Sequence, residues 1–428
     1  MTIAERGRSH HLVRMIGRDP DERHRTATPL ELLFDLTFVV AYGVAANELA
    51  HALAEGHVGS GLAGFAFAGF AVGWAWINYS WFASAYDNDD WLMRLATLVQ
   101  MVGVLLLTFG IPDAFASLDS GAPLENGLIV AGYVVMRAAL VPLWLRAARD
   151  DPQRRRTARF FAITISLAQV GWVLLAVFIE DAVVLVACTL ALILFELAGP
   201  VITERRLDPL PWHPHHLAER FGLLVIITLG EVVFGTVTAL TAVVQEQGWS
   251  FEAGVVAVTG TALAFGLWWE YYITPAAEFL ARHRERVLFW AFSHILVFAS
   301  IAATGAGLHV LAYAIEGDSS LSRVGAALTV AVPVLVLTVT VIVLYSVLLR
   351  AFDRFHILLF ALSVLALVAG IALAALGASL TVTLLLVVAS PAVVVIGYEW
   401  VGYRHQEAAI AALLAEPRPR SRGDRVGS

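Results

Sequence analysis

Apolar residues gather along the chain into long runs separated by short polar stretches. The runs lie near residues 30–50, 62–85, 92–113, 124–146, 158–179, 182–202, 217–243, 252–275, 287–311, 324–348, 356–376 and 379–403. A helix rises about 1.5 Å per residue and crosses a hydrocarbon layer of about 30 Å in about 20 residues. Each run therefore predicts one membrane-spanning helix. The first also carries Glu31, Asp35 and Glu48, and only Leu376, Gly377, Ala378 and Ser379 remain for the turn between the last two. Residues 1–25 are polar, with six arginines and no apolar core. They predict neither a signal peptide nor a span, and leave the first helix as an uncleaved signal anchor.

Composition agrees. Of 428 residues 59% are hydrophobic and 15% charged, against about 45–50% and about 25% in soluble domains. That excludes a soluble enzyme, a nucleic-acid binder and a disordered scaffold. The single cysteine, Cys188, lies in an apolar run that suits a buried free thiol and rules out an intrachain disulfide. The net charge of −7 hides an asymmetry, because all 28 basic residues are arginine. With the N-terminal tail placed in the cytoplasm and the spans alternating, 26 arginines fall on the cytoplasmic side, Arg323 on the other, and Arg137 inside the fourth span. Such a positive-inside pattern predicts cytoplasmic N and C termini and an even number of spans.

Polar marks in the first three spans recur in spans seven to nine. Glu31 opens span one and Glu219 span seven; Trp74 matches Trp268, and Gln100 matches His294, each 194 residues on. Phe195-Glu196 and Tyr398-Glu399 end the two series alike. The expected fold is an all-α polytopic membrane protein of twelve transmembrane helices in two parallel six-helix repeats, with an axis along the membrane normal. The divisions are an Arg-rich cytoplasmic tail over 1–27, repeats over 28–202 and 217–404 joined by a cytoplasmic linker at 203–216, and a disordered cytoplasmic tail over 405–428.

Thr28-Pro29-Leu30-Glu31-Leu32-Leu33-Phe34-Asp35-Leu36-Thr37-Phe38-Val39 resembles the opening of the bacterial low temperature requirement A (LtrA) family. So does Trp74-Ala75-Trp76-Ile77-Asn78-Tyr79-Ser80-Trp81-Phe82 with Asp87, Asp89 and Asp90 after it. Glu219-Arg220-Phe221-Gly222, Leu229-Gly230-Glu231, Leu267-Trp268-Trp269 and His294 fit the same pattern, so that the resemblance covers about residues 25–400. Glu270-Tyr271 departs from it, since an apolar residue and then Tyr are expected after the Trp pair. The resemblance implies an integral protein of the bacterial plasma membrane linked to growth in the cold, without a settled biochemical activity. Phe34-Asp35 is also similar, over two residues, to the Phe-Ser-Asp motif of a family of endolysosomal and bacterial potassium channels built from six-helix repeats; span seven has Phe221-Gly222 at the equivalent place.

An ionisable side chain within a bilayer needs a partner, water or a task. Glu31, Asp35, Asn78 and Gln100 form an inner polar layer in the first half, and Glu31 and Asp35, four apart, share a helix face. In the second half Glu219 and Arg220 lie near the cytoplasmic surface, Glu231 about 18 Å deeper, and Glu270 and His294 at an inner level. The resulting expectation is a proton or monovalent-cation pathway through Glu231, His294, Glu270, Glu219, Arg220, Glu31 and Asp35, supported by Asn78, Gln100, Trp74, Trp268 and Arg137. The alternative is that these groups only fix helix packing. Arg137 reads chiefly as the partner of a buried acid, and Glu196 and Glu399 as interfacial. The twelve tryptophans suggest an aromatic belt, Gly69 and Gly73 a close helix contact, and His213-Pro214-His215-His216 a Pro-rich loop rather than a metal site.

Three functions remain open. The first is a secondary transporter or ion pathway. The second is a non-catalytic membrane factor in the cold. The third is an intramembrane lipid or isoprenoid enzyme with Asp87, Asp89 and Asp90 as metal ligands, which would want an opposed acidic or basic group. No cofactor or nucleic acid is expected, membrane lipids are the expected partners, and the small-molecule substrate and oligomeric state, a homo-oligomer included, stay open.

Overall fold

The structure is a computed structural model and describes residues 12–19, 22, 25–122, 124–179, 181–349 and 354–415. The described residues are helical with connecting turns. Twelve of the helices, counted with their continuations, are long and apolar enough to cross a membrane. The chain divides into two compact units, Met1–Glu231 with Gly317–Leu321, and Val232–Glu316 with Ser322–Ser428.

The first unit contains α1 (Pro29–Ala54), α2 (Val58–Tyr86), α3 (Trp91–Phe109), α4 (Ile111–Ser120), α5 (Gly127–Asp150), α6 (Arg155–Phe178), α7 (Ala182–Arg206) and α8 (Pro214–Thr228). Side chains that accept orphan backbone N–H groups begin several of them. Thr28 and Glu31 form a reciprocal capping box ahead of Pro29, Asp90 accepts from the Met93 N–H at 2.9 Å, and Asp181 accepts from Val183 and Val184. In lipid the apolar effect does not press helices together, so small residues and interhelical hydrogen bonds carry much of the packing. A Cβ on Gly103 would stand 2.6 Å from the Gly132 carbonyl oxygen, and so only glycine lets α3 and α5 approach this closely. On α2, Gly61 meets Ala52 of α1, Gly64 meets the Phe115 ring of α4, and the Gly69 carbonyl accepts from the Tyr42 hydroxyl. Trp144 of α5 stacks on Phe161 of α6 at 4.5 Å. By contrast α7 is mostly exposed, and Cys188 on it is half-buried rather than buried.

The N-terminal segment is tied down. Val13, Met15 and Gly17 donate to Asp90, Asp150 and Asp151 at 3.3, 3.1 and 3.2 Å.

Helix α9 (Gly230–Gln247) begins at the end of the first unit and belongs to the second from Val232 on, followed by α10 (Phe251–Tyr272), α11 (Ala276–Arg282), α12 (Val287–Glu316), α13 (Arg323–Leu349), α14 (Arg354–Ala375), α15 (Leu380–Gly397), a π-helical turn Tyr398–Gly402 and α16 (Tyr403–Ala415). The most buried span of the second unit is the one that contains α12. Ser363 of α14 and Ser390 of α15 share a hydrogen bond of 2.6 Å. The four-residue seam between these helices closes because Gly377 takes φ +90° and the Ala378 N–H reaches back to the Leu373 carbonyl, while Ser379 caps α15. A left-handed C-terminal residue is what ends a helix this abruptly. Helix α16 runs to Ala415, inside the stretch expected to be a disordered tail, and 416–428 lie outside the described residues.

Two expectations need correction. His213-Pro214-His215-His216 is not a loop: His213 accepts from the His216 N–H at 3.2 Å as the N-cap of α8, and Pro214 takes the first helical position, where a missing N–H is harmless. Nor do all twelve tryptophans serve a belt, since Trp74, Trp76, Trp81, Trp144, Trp212 and Trp290 are buried.

Candidate functional site

The inner end of the first unit holds a buried charge cluster. The capping box fixes Glu31 at the third residue of α1: its Oε2 accepts from the Thr28 N–H at 2.8 Å, which leaves Oε1 for a cation. Asp35 follows one turn later on the same face. Arg220 of α8 spans both acids. Its Nη1 is 2.8 Å from Glu31 Oε1, its Nε donates to Asp35 Oδ2 at 3.3 Å, and its Nη2 donates to Asp35 Oδ1. The Trp76 indole donates to Asp35 Oδ1 at 2.7 Å. His216, one turn before Arg220, sets Nε2 3.1 Å from Glu31 Oε1, and its Nδ1 lies 3.3 Å from the Ser84 hydroxyl. The rings of Trp76 and Tyr79 face the guanidinium at 5.5 and 5.8 Å.

Glu31, Asp35, His216 and Arg220 are at most 1% exposed. Two carboxylates face one guanidinium, so the trio carries one negative charge in excess while His216 is neutral. A proton on the imidazole would cancel it. Nearer the surface Arg25 donates to the Ser84 and Ala83 carbonyls at the end of α2, and burial lowers its pKa to about 10. Burial and the charge of Glu31 raise Asp87 to about 6. His213 is likewise lowered by burial, and its Nε2 lies 2.8 Å from the Glu22 carbonyl.

The other expected site residues are placed as follows. Glu219 is half-buried and accepts from the Ala27 N–H at 3.2 Å. Asn78 and Gln100 donate to carbonyls one turn back on their own helices, Trp74 at 2.8 Å and Ala96 at 3.4 Å. Glu231 is the second residue of α9, just past the interruption at Leu229, and is half-buried against Gly43 of α1. In the second unit the Glu270 carboxyl accepts from the Thr338 hydroxyl at 3.3 Å, with its other oxygen buried and without a hydrogen bond. His294 lies 2.7 Å from the Trp290 carbonyl through Nδ1 and 2.9 Å from the Tyr271 hydroxyl through Nε2. The carbonyl can only accept, so Nδ1 carries the hydrogen and Nε2 accepts from Tyr271. Trp268 is 36% exposed and lies between Phe265 and Tyr272.

Arg137 has the acid partner its position calls for. Glu196, expected at an interface, is instead half-buried midway along α7, 3.5 Å from the Arg137 guanidinium, and accepts from the Trp74 and Trp172 indoles. Phe67, Phe70, Tyr133 and these tryptophans line a cavity of ≈ 30 Å³ beside it. Among the described residues Arg137 makes no hydrogen bond; the Tyr133 ring covers it at 5.3 Å. In the second unit Trp269 donates to Glu399 of the π-helical turn at 3.2 Å.

Three participants escaped the sequence reading: His216, Trp76 and Glu196. The first had a signal, since His216 lies four residues before Arg220 on one helix face. The acids after α2 are engaged locally. Asp89 pairs with Arg94 at 2.8 Å, Asp90 caps α3 and pairs with Arg146, and Asp87 accepts from the Asp89 N–H at 2.9 Å. Among the described residues no group of three or more His, Cys, Asp or Glu side chains is placed to hold a metal ion.

The model of the family described as bacterial low temperature requirement A protein (LtrA) matches residues 26–390. No curated protein and no solved structure matches the chain.

Proposed function

The chain belongs to the bacterial low temperature requirement A family, and from that premise we propose that it is a secondary transporter or ion pathway coupled to protons or a monovalent cation. The observation that carries the reading is the shared guanidinium of Arg220. Glu31 and Asp35 share the one guanidinium of Arg220, and a titratable imidazole, His216, lies against Glu31. Taking up one proton makes the cluster neutral and losing it restores the charge. A membrane-embedded group of this kind suits a relay. Glu231, at the midpoint of the span Pro214–Gln247, extends the reading to mid-depth.

The same reading places both termini in the cytoplasm of a bacterium and the protein in its plasma membrane, on the strength of the 26 arginines assigned to one side. It also takes the chain as two parallel repeats. The support for that is the recurrence of Glu31, Trp74 and Gln100 as Glu219, Trp268 and His294 along the chain.

A second reading, a membrane factor without transport, is favoured by the closed Arg137–Glu196 pair and by the back-bonded Asn78 and Gln100. The two readings separate in liposomes. Purified protein should dissipate an imposed pH, sodium or potassium gradient, and His216→Gln should abolish the flux while unfolding at a temperature close to the parent's. A flux unchanged in His216→Gln would remove the cluster from the pathway.

A further inference from the structure

Glu231 differs from every other acid described above. It is half-buried at the midpoint of its span, and among the described residues it has no hydrogen bond and no ion pair. Gly43, near the middle of α1, makes its seat. A Cβ there would stand 2.7 Å from Glu231 Oε1 and 3.2 Å from its Cδ, so the absent side chain is the space the carboxyl occupies. We propose that Glu231 and Gly43 form a site for a single proton at mid-depth, and that this site takes a proton and not an alkali cation. The inference deepens the pathway reading by naming its ion.

The argument is one of ligand supply. A sodium or potassium ion stripped of water needs several oxygens around it, which membrane proteins provide from unwound backbone and side chains. The interruption beside Glu231 does not unwind. Leu229 keeps helical dihedrals of φ −60° and ψ −17°, and its N–H still bonds the Val225 carbonyl at 2.9 Å, so that no fan of carbonyls opens towards the carboxyl. The Thr228 hydroxyl is donated to Leu224 at 2.7 Å. The residues next to Glu231 on α9 are Val232, Val233 and Phe234. One carboxyl in such surroundings is a poor cage for a metal ion, and an uncompensated carboxylate at this depth is costly. A proton satisfies it alone.

Other titratable groups on the elements around it are accounted for. On α1 these are Glu31 and Asp35 at the inner end, Tyr42, bonded to Gly69, and Glu48 and His51 beyond; on α8, His215, His216, Glu219 and Arg220. On α9 the remaining one is Glu246. Among the described residues none of these pairs with Glu231.

Dicyclohexylcarbodiimide tests the assignment without relying on transport, because it adds to a protonated carboxyl in an apolar setting. Protein in liposomes is treated over a pH series in sodium, potassium or choline chloride of equal ionic strength, and the Glu231 peptide is quantified by mass spectrometry. The expected result is an adduct that declines as pH rises and is the same in all three salts. It should be absent in Glu231→Gln and altered several-fold in rate in Gly43→Ala. Protection by sodium or potassium at fixed pH would overturn the inference, as would the lack of an adduct throughout the series; an unchanged rate in Gly43→Ala would remove Gly43 from the site. Proton-dependent labelling without any flux would defeat the pathway reading and leave the proton site standing. Flux carried by an alkali cation that also protects Glu231 would do the reverse.

Discussion

Replacing Arg220 with methionine tests the energetics of the cluster most severely. The guanidinium is wholly buried and makes three charged hydrogen bonds, two to Asp35 and one to Glu31, which are themselves at most 1% exposed. Removing one partner of a buried ion pair costs about 3–5 kcal/mol, chiefly because the remaining charge is left without compensation. Here two acids lose their common cation, so Arg220→Met should sit at the upper end, near 5 kcal/mol, or between three and four decades in the unfolding equilibrium at about 1.4 kcal/mol per decade. The triple change Glu31→Gln, Asp35→Asn, Arg220→Met removes every charge with similar volume and should recover most of that loss, as replacement of buried ionic groups by neutral ones often does. Equilibrium unfolding in mixed micelles of the single, paired and triple variants gives the coupling directly. A cost below about 1 kcal/mol for Arg220→Met, or a triple variant as unstable as the sum of its parts, would refute the argument.

Three further expectations follow from other parts of the fold. Glu196→Gln leaves the buried Arg137 without its acid and should destabilise by about 3 kcal/mol, and Arg137→Met added to it should restore stability; a restoration that fails would show that the pair is not coupled. Asp87, raised to about 6 by burial and by Glu31, holds its proton more tightly folded than unfolded. Stability should therefore be lost as pH rises from about 4 to about 6 and stay reduced above that. Asp87→Asn should exceed the parent by about 2–3 kcal/mol near neutrality, with the gap closing towards about pH 4; thermal unfolding in detergent at several pH values would expose a gap of the wrong sign. Gly103→Ala places a methyl on the Gly132 backbone and should cost about 1–3 kcal/mol by overpacking α3 against α5, whereas an unchanged melting temperature would mean that the helices separate freely.

The spans were legible because membrane helices are declared by length and apolarity, and both survive any rearrangement of partners. Thr28, Pro29 and Glu31 carry a local signature as well, since Thr-x-x-Glu is the spacing of a capping box. What the linear pattern could not give is which acid meets which base. Glu31 and Arg220 are 189 positions apart, and Glu196 looks interfacial until α7 is set beside Arg137. Depth along a helix can be counted; the face that each residue turns to its neighbours depends on packing. His294 and Glu270 show the same limit, since depth alone does not name their partners, Tyr271 with Trp290 for one and Thr338 for the other.

The central claim is that ions move through this protein, and the charge displaced by a pH step reports on it most directly. Purified protein in liposomes adsorbed on a solid-supported membrane should give a transient current on a rapid pH step, with Glu231→Gln giving none although it is reconstituted to the same density and melts near the parent. A silent parent, with no current on pH, sodium or potassium steps, would contradict the account and leave the buried pairs as packing alone.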